Sequence, residues 1–247
     1  MNSPEKTTSR DELYRTGRVR EDFRFNEEVA EVFDDMLDRS IPFYGAVIDA
    51  MAEFLRLRLD RGATILDLGC ATGTTLLSLA RRLEELEVSL VGIDNAPAML
   101  AKARRKAGMF SRGDVIEFRQ ADITTCDLSG ADAIICNYTL QFIRPLLRQD
   151  FVQRLHDALP DGGVLILSEK VISHAPELNR QFIEMYHGFK RRQGYSELEI
   201  AAKREALENV LVPFSVDENA ALLRRAGFSS QEIFFRWFNF ASFVAIR

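Results

Sequence analysis

The amino-acid sequence predicts an α/β fold: a doubly wound, mostly parallel sheet, with helices ahead of it at the N-terminus and a helical insertion before the last helix. Three observations predict it. Short runs that are apolar on both faces alternate with segments of helical periodicity, as in a sheet covered on both sides. The first of these runs leads directly into a glycine-containing turn that opens a helix. Successive runs then end on polar or acidic residues, as strands do when their carboxyl ends line a crevice. The chain has 247 residues, 47% of them hydrophobic, which suffices for one α/β domain with an elaboration but not for two ordinary domains. Residues 1–21, polar and charged, read as a flexible tail, and residues 22–247 as the domain.

From Asn26, Val29, Val32, Phe33, Met36 and Leu37 recur at helical spacing, with Asn26 as the cap. Ser40-Ile-Pro-Phe-Tyr44 breaks that helix, and a second amphipathic helix runs to about Leu59. Arg61-Gly62 ends it before Thr64-Ile-Leu-Asp-Leu68, the first buried strand. A regular alternation follows: helix Thr74 to Glu85, strand Ser89 to Ile93, helix Ala96 to Lys106, strand Val115 to Arg119, strand Ala131 to Cys136, helix Pro145 to Leu159 and strand Gly163 to Leu167. A helical segment, Pro176 to Val212, then interrupts the rhythm. It precedes the final helix Val216 to Arg225 and a strand pair over 231–246.

A formal net charge of −5 repels polyanions, so nucleic acid is not expected as a direct partner. The basic run Arg104-Arg105-Lys106 reads as a solvated helix face. No apolar stretch is long enough for a signal peptide or a membrane span, which points to a cytoplasmic protein. Cys70, Cys126 and Cys136 lack the spacing of a zinc site and read as small core residues, so neither a metal nor a disulfide is expected.

The turn after the first strand is Asp67-Leu-Gly69-Cys-Ala-Thr-Gly73-Thr. It lacks the second glycine of a dinucleotide fingerprint, and Asp67 just ahead of it is a poor neighbour for pyrophosphate but a plausible one for an amino-acid ammonium. Asp94 closes the second strand, where a carboxylate can accept both hydroxyls of an adenosine ribose. After the third strand, Asp122 is positioned to receive an adenine amino group and Ile123 to cover a ring face; Asn137 follows the fourth strand into the same crevice. An Asp after a strand is commonly a turn or helix cap. The ordered set after four successive strands is what points to S-adenosylmethionine.

These residues resemble the class I methyltransferase fold over about Ile41 to Arg247. A closer likeness lies in Phe25-Asn-Glu-Glu-Val-Ala-Glu-Val-Phe33, Tyr138-Thr-Leu-Gln-Phe142, Leu167-Ser-Glu-Lys170, Gly194-Tyr-Ser-Glu-Leu-Glu-Ile200 and Phe238-Asn-Phe240. Together these five stretches resemble the carboxy-S-adenosylmethionine synthase family. The resemblance implies that S-adenosylmethionine is carboxylated on its methyl group, with prephenate giving the carboxyl and leaving as phenylpyruvate. The product, carboxy-S-adenosylmethionine, would supply a partner enzyme that modifies wobble uridine in tRNA. A sulfonium acidifies its methyl protons, so a carbon nucleophile toward carbon dioxide is chemically accessible without a metal. The departing hydroxide of prephenate can take the proton, and no protein base is assigned. His187 reads as a packed or capping residue in preference to a base.

By the same resemblance, the cofactor contacts are Tyr44, Gly69, Cys70, Ala71, Asp94, Asn95, Asp122, Ile123 and Asn137, and Arg204 receives the new carboxylate. The family more often carries Ser where this chain has Ala71, and another pair in place of Thr72-Gly73, so only backbone contacts carry over there. A homodimer through the insertion is implied too, in keeping with its Phe182, Met185, Tyr186, Phe189 and Tyr195. The residues add an argument for Arg204. Ser196-Glu-Leu-Glu199 is a capping box that fixes the register of a helix starting at Glu197. Arg204 then falls within a stripe of Ile200, Leu207 and Leu211, where a guanidinium needs an anion. Two rivals use the same pocket: an ordinary methyltransferase acting on a small molecule or tRNA, and a non-catalytic cofactor-binding module.

Overall fold

The computed structural model describes residues 10–19 and 22–247. Two helices lead. In α1 (Glu27–Ser40), Asn26 Oδ1 accepts the Val29 amide at 3.0 Å, the cap the sequence implies. A turn through Pro42 and Phe43 (φ +58°) redirects the chain into α2 (Tyr44–Arg58). The alternating part follows as β1 (Thr64–Leu68), α3 (Thr74–Arg82), β2 (Ser89–Asp94), α4 (Pro97–Gly108), β3 (Ile116–Gln120), β4 (Ala133–Asn137), α5 (Arg148–Ala158) and β5 (Val164–Ile172). The insertion is two helices, α6 (Pro176–Arg192) and α7 (Glu197–Leu207). A two-residue β6 (Phe214–Ser215), α8 (Val216–Ala226) and the antiparallel pair β7 (Ser230–Trp237) and β8 (Phe240–Ile246) complete the chain.

The sheet runs β3-β2-β1-β4-β5-β8-β7, with β6 beside the end of β5. Pairs from β3 to β5 are parallel, while β8 lies antiparallel between β5 and β7. Strand order therefore reverses between β1 and β4. In open α/β sheets the crevice beyond the carboxyl ends at such a switch point is where ligands bind. The period of two in β1 divides the core: Ile65 packs with Met51, Leu55, Leu76 and Leu79 on one face, Leu66 and Leu68 with Phe151, Leu155 and Leu223 on the other. A third cluster, including Val29, Phe33, Met36, Met99 and Ala206, seats α1 on α4 and α7.

Three expectations need correction. β5 continues through Ile172 instead of stopping at Leu167, because pairing with β8 holds Ser168, Glu169 and Lys170 in the strand; Ser168 Oγ donates to Ser242 Oγ at 2.9 Å. Residues 10–19 do not behave as a free tail. Asp11 is 2% exposed, receives the Tyr195 hydroxyl at 2.5 Å and lies 3.6 Å from Lys203. The rest of the expected tail, residues 1–9, 20 and 21, lies outside the described residues. Lys106, read as solvated, is instead tied into an ion network described below. No helix among the described residues is long and apolar enough to cross a membrane.

Candidate functional site

The loop between β1 and α3 turns on glycine geometry. Gly69 has φ +75°, and a Cβ there would stand 2.5 Å from Thr139 Cγ2. The Gly69 and Cys70 amides both donate to the Ile93 carbonyl, at 2.8 and 3.2 Å, which laces the loop to β2. Ala71 follows with φ +46°, and its amide donates to Asp94 Oδ2 at 2.9 Å. Asp94 Oδ1 takes the Ala96 amide at 2.8 Å. Each oxygen of Asp94 thus accepts one backbone N–H and keeps lone-pair capacity for a ligand. Burial raises the Asp94 pKa, and these amide bonds work against it without cancelling it.

Asp67 carries an electrostatic cost. Its carboxyl is 2% exposed and, among the described residues, has no cation within ion-pair distance. Burial, reinforced by the charge of Asp94, pushes its pKa up to about 7. A ligand ammonium would relieve that cost.

Thr75, at the start of α3, joins two of the expected contacts. The Tyr44 hydroxyl lies 3.2 Å from Thr75 Oγ1, and Asn137 Nδ2 donates to the same oxygen at 3.1 Å. Asn137 Oδ1 is buried and has no hydrogen-bond partner among the described residues. Asp122 stands farther along the crevice, exposed, with Oδ1 taken by the Thr124 amide and hydroxyl at 2.8 and 2.7 Å, which lower its pKa. Ile123 is half-buried and Asn95 exposed at the end of β2. Cys70 is buried, and desolvation drives its thiol pKa well up, as befits a packed thiol and not a nucleophile.

Arg204 does not sit where the apolar stripe was expected to place it. The capping box is present, with the Glu199 amide on Ser196 Oγ at 3.2 Å and Glu199 Oε2 on the Ser196 amide at 2.8 Å. The buried face of α7, however, is Ile200, Ala202, Lys203 and Ala206, and Arg204 is exposed. The packed cation is its neighbour Lys203, paired with Asp11 and with Ser40 Oγ at 3.2 Å. Of the insertion's aromatic residues, Tyr186 and Tyr195 are buried within the chain, while Leu178, Ile183 and Met185 face outward.

Sequence reading missed the support behind the loop. Thr72 and Thr74 donate to Asp34 Oδ1 of α1 at 2.7 and 2.8 Å, and Lys106 of α4 reaches the same oxygen at 2.9 Å. Burial works to raise the Asp34 pKa, but Lys106 and these hydrogen bonds outweigh it and hold the carboxylate below its ordinary range. The Thr72 that departs from the resembled pattern is therefore a strut between cofactor loop and α1. An acid on a helix carries no sequence signal for such a role.

A Gly-bent loop laced to β2 at the switch point of this strand order is the arrangement of the class I methyltransferase fold. The methyltransferase domain family model matches residues 65–163. A putative S-adenosyl-L-methionine-dependent methyltransferase from Methanococcus maripaludis superposes with a TM-score of 0.63 at 18% identity, covering 93% of this chain and 97% of that one. The chain belongs, more narrowly, to the carboxy-S-adenosyl-L-methionine synthase family of enzymes. It is 54% identical over 241 residues to the Desulfotalea psychrophila protein of that name, covering 98% of each chain, and 48% identical to the Wolinella succinogenes one, covering 96% of this chain and 98% of that one.

Proposed function

We propose that the protein binds S-adenosylmethionine in the crevice between β1, β2 and β4 and carboxylates its methyl group with prephenate, releasing phenylpyruvate. The observation that carries the cofactor reading is a pair of unmet polar demands in one place: the buried Asp67 carboxyl without a cation and the buried Asn137 Oδ1 without a donor. A zwitterionic amino-acid nucleoside supplies both a cation and hydrogen-bond donors. Asp67 faces the ammonium, Asp94 the ribose hydroxyls, and Asp122 with Ile123 the adenine; Tyr44, Asn95, Asn137 and the backbone of Gly69, Cys70 and Ala71 line the rest. The names of the relatives support the carboxylation, and the resemblance supports prephenate as donor and a cytoplasmic role feeding wobble-uridine modification of tRNA. An ordinary methyltransferase would use the same pocket, so the distinction rests on the product. Incubation with S-adenosylmethionine and prephenate should give a carboxylated cofactor by mass spectrometry. Methyl transfer to an acceptor with no carboxylated product would overturn the reading.

Arg204 is proposed to grip the new carboxylate. Among the described residues it makes no ion pair, which leaves its planar fork available to an anion. Removing a charge-assisted, bidentate contact costs roughly 1.5–3 kcal/mol, or about tenfold or more in affinity. Arg204→Ala should lose that much for carboxy-S-adenosylmethionine and little for S-adenosylmethionine, with Arg204→Lys intermediate, by calorimetry. Equal loss of both ligands would assign Arg204 to the scaffold.

The chain is proposed to pair with a second copy through the outward face of α6, where Leu178, Ile183 and Met185 are 46%, 36% and 46% exposed. Light scattering at micromolar concentration should read twice the chain mass; a single-chain mass would remove the dimer.

A further inference from the structure

Two lysines beside the crevice, Lys190 buried and Lys170 half-buried, lack the counter-charge that desolvated lysines need. Lys190 of α6 is 6% exposed, and its Nζ lies 4.6 Å from the centroid of the Tyr186 ring. Lys170, near the carboxyl end of β5, brings its Nζ to 5.3 Å from the same ring. Neither ammonium has a carboxylate or hydrogen-bond partner among the described residues. The neighbouring acids are committed elsewhere: Asp11 to Tyr195 and Lys203, and Asp35 to Arg39 at 3.0 Å. Burial lowers the pKa of both lysines, and at Lys190 the charges of Lys203 and Lys170 add to it. A cation–π contact returns less than removing an ammonium from water costs. Tyr186 alone does not settle this account.

The pair also stands in the right place. Tyr186 is held by its hydroxyl, which donates to the Ser40 carbonyl at 2.9 Å, and by edge contact with Phe240 at 5.0 Å. Phe240 meets Tyr138 at 6.0 Å, and Tyr138 meets the cofactor-side Tyr44 at 6.2 Å. A continuous row of rings therefore joins the two lysines to the cofactor pocket. Lys170 lies two residues beyond Ser168, the partner of Asn137 across β4 and β5.

We propose that Lys170 and Lys190 are the seat of the carboxyl donor's anionic groups, one ammonium for each carboxylate of a dicarboxylate. The assignment rests on the reading of prephenate as that donor. His187, half-buried next to Tyr186, sits in the field of both lysines and of Arg204, opposed by Glu184, which is itself paired with Arg191 at 2.6 Å, so positive charge predominates there. A dianion neutralises it, whereas a neutral methyl acceptor would leave it standing.

The test uses Lys190→Met and Lys170→Met in the full chain. Replacing an unpaired buried ammonium by an apolar chain of similar length removes a desolvation cost, so the variants should melt at or above the wild-type temperature. Both should raise the KM for prephenate tenfold or more, with S-adenosylmethionine affinity changed by less than threefold. Prephenate binding by calorimetry should weaken in parallel, a readout that does not need turnover. Lower thermal stability with an unchanged prephenate KM would make the lysines structural and overturn the proposal. If wild type yields no carboxylated cofactor from prephenate yet binds it in a Lys190-dependent way, the donor reading falls and the dicarboxylate seat stands. If wild type carboxylates normally and both variants keep the wild-type KM, the seat falls and the donor reading stands.

Discussion

Asp34→Ala should destabilise the protein by about 2–3 kcal/mol and weaken S-adenosylmethionine binding severalfold. Asp34 Oδ1 is the common acceptor for Thr72, Thr74 and Lys106, and Lys102 lies 3.6 Å from Oδ2. Removing one partner of a buried pair typically costs about 3–5 kcal/mol, because the remaining charge stays desolvated. The figure is lower here for two reasons. Lys102 also donates to the Ala30 and Glu31 carbonyls at 2.8 and 2.7 Å, so it keeps hydrogen bonds, and the Lys106 side chain retains 21% exposure. Asp34→Asn keeps an acceptor for the threonines and loses only the charge, so it should fall about midway. The binding loss follows because the loop bearing Gly69 to Gly73 is braced against α1 through Thr72. Urea denaturation with cofactor titration checks both effects, and a loss under about 0.5 kcal/mol would show that the network is screened surface charge.

That network marks where sequence reasoning stops. β1 matches residue for residue because Arg61-Gly62 and Gly69 bracket a short run whose side chains divide between the two faces of the core. The strand-end acids were legible for a related reason: the topology fixes which end of each strand meets the crevice. Asp34, in contrast, lies on an amphipathic helix among other acids, and only the packing of α1 on α4 turns it toward Lys102 and Lys106. Arg204 shows a subtler failure. The capping box sets the helix start, but the large aliphatic residues Leu207 and Leu211 do not mark its buried face, which Ala202 and Ala206 carry together with Ile200. A shift of one position rotates the face by about 100°, enough to exchange Lys203 for Arg204 as the packed cation. Small residues contact neighbouring helices closely while contributing little to an apolar count.

Asp67→Asn should make the unliganded protein more stable than wild type at pH 8, by on the order of 3 kcal/mol, and the advantage should vanish toward pH 4. Burial first, and the charge of Asp94 second, raise the Asp67 pKa from 3.8 to about 7. In this window the folded protein binds a proton that the unfolded chain has released. The stabilisation from protonated Asp67 is therefore complete below the unfolded pKa and is lost as pH rises through about 7. Asparagine has the same shape and does not ionise, so its advantage grows over this window. Glu169 titrates in the same direction with a pKa of about 8, but it does so in both proteins and cancels in the difference. Under the proposed reading a bound ammonium favours the ionised form, so S-adenosylmethionine should lift wild-type stability at pH 8 more than that of Asp67→Asn, and the variant should bind it more weakly. Thermal melts from pH 4 to 8, with and without cofactor, decide the matter. A variant less stable than wild type at pH 8, or a difference independent of pH, would mean that Asp67 is satisfied within the protein. A variant that gains stability and keeps full affinity would place the ammonium elsewhere. Gain of stability with loss of affinity is the signature of a carboxylate kept buried for its ligand.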